Sequence, residues 1–226
     1  KAEFDRPFGV AMKALRREVF GSHPYSLSLS GTEESVASLG RADVVGMRKR
    51  LVKGGNGVLG VFGDIDLSQA EDLIRARFES GIEPGEREFL KPAQIVYPAG
   101  DGRVIVLEHD KEQAVLLIGY RTVALDHLDN PALDLIAEAC SDMASRMFIR
   151  IREELGLAYS VGSTRMQGLE PGMIVFYAST APEKLDLVQD EMLNEIQLMV
   201  DQGLIEEELD RAKASWLGKE VIHLQG

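Results

Sequence analysis

Between Ser145 and Ser163 the chain reads Ser-Arg-Met-Phe-Ile-Arg-Ile-Arg-Glu-Glu-Leu-Gly-Leu-Ala-Tyr-Ser-Val-Gly-Ser, and Arg152 and Tyr159 flank its compact Leu-Gly-Leu-Ala turn. A turn from helix end to strand start can carry a guanidinium and a phenol to one surface. Both groups donate hydrogen bonds and suit the carbonyls of an extended peptide or a developing oxyanion. Arg146, Arg150, Arg152, Glu153 and Glu154 also fit a solvated helix end, where cations interact favourably with the helix dipole.

Other candidate chemistry has less geometry behind it. Of His23, His109, His127 and His223, none has a second histidine within a helical turn. His109-Asp110-Lys111-Glu112-Gln113 falls one residue short of the zinc-binding His-x-x-Glu-His motif. That motif needs a helix, where positions i and i+4 face one ion, whereas these residues lie in a turn between two predicted strands, so no metal site is expected there. Gly55-Asn56-Gly57-Val58-Leu59-Gly60 matches G-x-G-x-x-G. A helix precedes it and a strand follows, the reverse of the order that aims a helix N-terminus at phosphate. Cys140 is the single cysteine, in an apolar helical stretch, and is expected in the core.

The elements that position these residues follow from periodicity and punctuation. Asp5 and Pro7 open a helix in which Phe8, Ala11, Met12, Leu15 and Val19 recur up to Gly21. Short helices are expected from near Thr32 and from Asp43 to about Lys53, stopped by Gly54-Gly55-Asn56-Gly57. Val58 to Phe62 reads as a buried strand, and Leu67 to Phe78 as a helix with Ser68 and Glu71 at capping-box spacing. Residues 81–102, rich in Pro and Gly, read as a linker. Strands are expected at Val104 to Leu107 and Ala114 to Tyr120, then a long helix from Asn130-Pro131 through Leu155, stopped by Gly156. A hairpin of Tyr159 to Gln167 and Met173 to Ser179 precedes two final helices, one from Pro182 to Gly203 and one from near Glu206. Adjacent strands separated by blocks of helices make this an α+β chain of largely antiparallel sheet, not a βαβ repeat.

The 226 residues suffice for one large or two modest domains, and a composition of 45% hydrophobic and 27% charged residues excludes disordered and fibrous classes. The net charge is -12, without a basic, aromatic-interleaved face, so neither a nucleic-acid nor an anionic-membrane partner is expected. Residues 181–226 hold 11 acidic and 4 basic residues, read as solvent-facing helix surface. Nothing in the chain depends on an oxidising compartment, and a cytoplasmic location is the expectation. With Lys1 first and Ile222-His223-Leu224-Gln225-Gly226 last, both ends are expected to be interior to a longer protein.

Taken together, Ser145-Arg146-Met147-Phe148 and Arg152-Glu153-Glu154-Leu155-Gly156-Leu157-Ala158-Tyr159-Ser160-Val161 resemble the C-terminal-domain signature of the pitrilysin/insulinase family of zinc metallopeptidases, the inverzincins, with Met147 for a usual leucine. His23-Pro24-Tyr25, Gly31-Thr32-Glu33-Glu34-Ser35 and Asn56 through Asp64 are similar to further family segments in the same order. Gly203 through Lys213 is similar to its "GIT-x-EEL-x-RAK" segment, with Ile205 for threonine. The chain is thus similar to mitochondrial processing peptidase-like proteins.

The resemblance implies a metallohydrolase fold of the processing-peptidase/pitrilysin type in two partial repeats. Residues 1–80 would be the second half of a first domain, 81–102 a linker, and 103–226 most of a second, truncated domain. It implies that the zinc-binding His-x-x-Glu-His and the catalytic glutamate belong to a region upstream of Lys1, so zinc is expected in the complete parent protein and none in this chain. Arg152 and Tyr159 match the family's substrate-binding pair; His23 matches a position that is not a zinc ligand. The implied function is a substrate-binding piece of a zinc metalloendopeptidase, inactive alone; the alternative is a non-catalytic subunit or assembly module. Expected partners are a peptide or unfolded protein substrate and the missing zinc-binding half or an active partner subunit. A free sheet edge would also allow a homodimer.

Overall fold

The computed structural model describes residues 7–79, 81–86, 102–108 and 112–223. They form an α+β structure with two compact units, one comprising Lys1–Leu27 and Gln94–Gly226 and the other Ser28–Ala93. The sheet lies in the first unit. Its strands are β1 (Ala114–Arg121), β2 (Ala158–Met166) and β3 (Met173–Thr180), antiparallel in the order β1-β3-β2. The predicted hairpin is present as β2 and β3, with Val161 opposite Ala178 and Arg165 opposite Ile174.

Central strand β3 is buried along both faces, which accounts for its nearly continuous apolar run. Ile174, Phe176 and Ala178 point to one core with Cys140, Met147 and Ile151, together with Val188, Met192 and Ile196 of helix α6 (Leu185–Gln202). Met173 and Val175 point the other way, to Phe20, Met12 and Leu15 of helix α1 (Pro7–Phe20). Alternation of period two therefore feeds two apolar layers from one strand. Because α1 packs on this sheet, the first unit draws its residues from both ends of the chain.

Gly172, in the β2–β3 connection, leaves no room for a side chain: a Cβ there would collide with the backbone oxygen of Met166. Gly172→Ala is expected to destabilise the first unit by about 2 kcal/mol, since the obstacle is backbone and cannot rotate away. Urea unfolding followed by circular dichroism checks this.

Helix α5 (Asn130–Ala139) begins where Asn130-Pro131 predicts, although Asp129 occupies the cap position and Asn130 is already helical. It does not continue to Leu155. Ser141 Oγ shares its one proton between Ala137 O and Ser163 O, Asp142 Oδ1 accepts the Ala144 amide at 2.7 Å, and Ser145 Oγ accepts the Phe148 amide. Short polar side chains compete with the helical ladder in this way. The chain then restarts as a wide, π-type helical segment, Phe148–Glu154. Its last bond, Leu155 N to Arg150 O, spans five positions. The final helix, α7 (Glu206–His223), follows α6 after Gly203.

In the second unit the helices are α2 (Glu33–Ser38), capped by Thr32, α3 (Arg41–Leu51) and α4 (Leu67–Phe78). Asp66, not Ser68, caps α4: its Oδ1 accepts both the Gln69 amide and the Ser68 hydroxyl. The expected buried strand at Val58–Phe62 is not formed, and Val58 and Phe62 are 101% and 95% exposed. Val104–Leu107 is likewise exposed and joins no ladder. Strand propensity without an adjacent strand leaves backbone groups unpaired, so neither segment becomes sheet. Most of the expected linker, including residues 87–101, lies outside the described residues, as do His109, Asp110 and Lys111.

Candidate functional site

Gly156, with φ +59°, ends the wide helix in a conformation that favours glycine. The turn after it is held from three sides. Leu157 N donates to Ile151 O at 2.9 Å, the buried Thr180 hydroxyl donates to Leu157 O at 2.6 Å, and Lys184 Nζ donates to Gly156 O at 3.1 Å. The register then slips. Ala158 pairs with Thr180 and Ser160 with Ser179, so Tyr159 is the extra residue of a bulge.

The bulge brings the two predicted residues together. Arg152 Nη1 donates to the backbone carbonyl of Tyr159, and the guanidinium carbon lies 5.1 Å from the centroid of the Phe148 ring. Arg152 is exposed and Tyr159 is 57% exposed. The turn therefore carries two exposed side chains, a guanidinium with donors to spare and a phenol, linked through the Tyr159 backbone.

The other cations of this segment, Arg146 and Arg150, are both paired. Arg146 reaches helix α7, where Nε donates to Glu208 Oε1 at 2.8 Å and Nη2 donates to Glu208 Oε2 and to Gly203 O. The two side chains are only 16% and 7% exposed. Glu208 also accepts the Ile205 amide, capping α7 where Ile205 offers no side-chain oxygen. Arg150 pairs with Glu191 and Glu154. At the far end of β2, Arg165 donates to Asp134 Oδ1, Asn130 O and Asn130 Oδ1, locking β2 to α5. Sequence reasoning missed these partners. The Arg146–Glu208 pair joins two of the quoted signature segments, 62 positions apart, and that coincidence was its one available signal.

His23 is buried; its Nδ1 accepts the Tyr25 amide at 3.2 Å and its ring packs edge-on to Tyr25. His127 Nδ1 likewise accepts the Asp129 amide. Among the described residues no group of three or more His, Cys, Asp or Glu side chains could hold a metal ion, so they do not fit zinc. The glycine-rich turn spends amides of Gly54 and Gly55 on the carbonyls of Glu83 and Gly85, and no helix follows it directly.

Burial pushes the Cys140 thiol up to about 12. The thiolate is the reactive form, so Cys140 is expected to resist iodoacetamide at pH 8 in the folded protein and to react after denaturation. Mass spectrometry of the alkylated chain checks this; rapid native labelling would contradict it. No helix among the described residues is long and apolar enough to cross a membrane.

A family model described as the peptidase M16 inactive domain matches residues 38–215. The chain belongs to the peptidase M16 inactive-domain family. This bears out the resemblance read from the motifs. Among relatives, the M16 inactive-domain chain is 30% identical over 216 residues to an uncharacterized zinc protease of Rickettsia felis, covering 92% of this chain and 50% of the relative. It spans about half the length of the curated relatives it matches. Among solved structures, a peptidase M16 inactive domain from Pseudomonas fluorescens superposes with a TM-score of 0.79 at 24% identity, over 96% of this chain and 52% of that one. A protease from Helicobacter pylori gives 0.87 at 21% identity, over 99% and 55%. These likenesses establish the fold expected for an M16 inactive domain.

Proposed function

We propose that this M16 inactive domain is the peptide-binding, non-catalytic half of a zinc metalloendopeptidase. The observation that carries the reading is that two exposed residues, Arg152 and Tyr159, are tied together across one turn by the bond from the guanidinium to the Tyr159 carbonyl. Arg152 and Tyr159 donate hydrogen bonds to the carbonyls of an extended peptide or unfolded protein. The names of the relatives, zinc proteases about twice as long as this chain, support placing zinc in the other half of the complete protein.

Residues 1–80 complete a first domain with that half, α1 packing as well on the sheet of the second domain, most of which is formed by residues 103–226. Support comes from the second unit, where none of the described residues is buried and Leu29, Val58 and Phe62 are almost fully exposed. Apolar surface of that extent is stabilised by a partner.

In the test, the complete protein, purified without chelators, binds stoichiometric zinc and cleaves an unstructured peptide, while the 226-residue polypeptide does neither. Stoichiometric zinc on the 226-residue polypeptide, or a complete protein that binds no zinc, overturns the proposal.

A further inference from the structure

We infer that Phe148 is a positioning residue for Arg152, acting with the Tyr159 bulge to hold the guanidinium ready for a peptide carbonyl; this rests on the substrate-binding reading of Arg152. An arginine side chain has several rotatable bonds, and an unrestrained one loses much of that freedom when it binds. Arg152 is restrained twice before any substrate arrives. One edge of its fork is fixed by the Tyr159 carbonyl, which is free to accept because the bulge takes Tyr159 out of the β3 ladder. One face is fixed by the Phe148 ring, 5.1 Å from the guanidinium carbon and within cation–π range.

The ring is itself held. Phe148 is partly buried and packs against the core that contains Ile151 and Val188, and its amide is tied to Ser145 Oγ. Three backbone irregularities thus converge on one side chain: the break after α5 that fixes Phe148, the wide helix that carries Phe148 and Arg152, and the bulge at Tyr159. Wide turns and bulges are the devices by which regular elements re-aim a side chain. A guanidinium offers five N–H donors, so the one used on Tyr159 O leaves others for a ligand.

The test uses the complete protein and fluorescein-labelled casein as an unstructured substrate, with kcat and KM measured separately. Phe148→Leu keeps an apolar side chain against the core and removes the aromatic face; it is expected to lower kcat/KM about fivefold. Phe148→Tyr, which keeps the face, is expected to stay within about twofold of the parent. In an Arg152→Ala background, Phe148→Leu is expected to cause no further loss, because its target is gone. A loss of equal size in both backgrounds, or full activity of Phe148→Leu beside an impaired Arg152→Ala, overturns this inference alone. Parental activity of Arg152→Ala, or a parent that does not cleave casein, overturns the substrate-binding reading and this inference with it. If Phe148→Leu does not fold, Phe148→Met takes its place in the same cycle, with the same outcomes.

Discussion

Replacing Arg146 by alanine is expected to destabilise the first unit by about 3–5 kcal/mol, measured by urea unfolding of the 226-residue chain. Removing the guanidinium leaves Glu208 charged, mostly desolvated and short of its main partner. Most of that penalty comes from the orphaned charge, not from the net worth of the pair. The double variant Arg146→Met/Glu208→Leu is therefore expected to be more stable than Arg146→Ala. Equal stability of Arg146→Ala and the parent would show that solvent reaches this pair freely.

The same pair sets a pH dependence. The hydrogen bonds from Arg146 hold the Glu208 carboxyl below the usual glutamate value of 4.5. A group whose value is lowered by folding contributes stability that is complete above its unfolded value and is lost as pH falls through the folded one. The stability that this carboxylate contributes in the parent is thus expected to hold from neutral pH down to about 4.5 and to shrink below it, while Arg146→Ala lacks that contribution. Unfolding curves collected across this range in both proteins measure it.

Arg152→Ala in the complete protein is expected to lower kcat/KM for an unstructured peptide on the order of 10²-fold, with zinc content unchanged, because it removes a donor and not a ligand. Tyr159→Phe is expected to follow in the same direction with a loss of about tenfold, since only the phenolic O–H is deleted. The bond from Arg152 goes to the Tyr159 backbone, so Tyr159→Phe preserves it and separates the phenol's role from the restraint on Arg152. Metal analysis and steady-state kinetics on the same preparations check both. Wild-type rates for both variants would make the pair structural.

Much of the fold was legible from local pattern. The start of α5 at Asn130-Pro131, the stops at Gly156 and Gly203, and the hairpin about Glu170-Pro171-Gly172 each follow from backbone preferences of residues within a few positions. The break after Ala139 was not legible. Ser141 and Ser145 are ordinary helix-surface residues until Ser163 and the Phe148 amide are placed beside them. Val58–Phe62 and Val104–Leu107 have the composition of strands, but a strand also needs a neighbour, and composition does not supply one.

The site divides in the same way. Arg152 and Tyr159 could be singled out because helix end, tight turn and strand start are local events, and their spacing brings them close in most ways of folding that turn. That the link runs from guanidinium to carbonyl, that Tyr159 is the bulged residue, and that Phe148 supplies the opposing face depend on the β2–β3 register and on the wide helix. The acid-rich last helices read as solvated surface in the sequence, yet Glu208 among them is buried against an arginine 62 positions away. Residue type and spacing determined the α+β class and the identity of the candidate pair, and the resemblance of the quoted motifs pointed to the family. Desolvation and ladder register arise from contacts distant in sequence, so only the tertiary structure decided which charges are buried and how Arg152 is held.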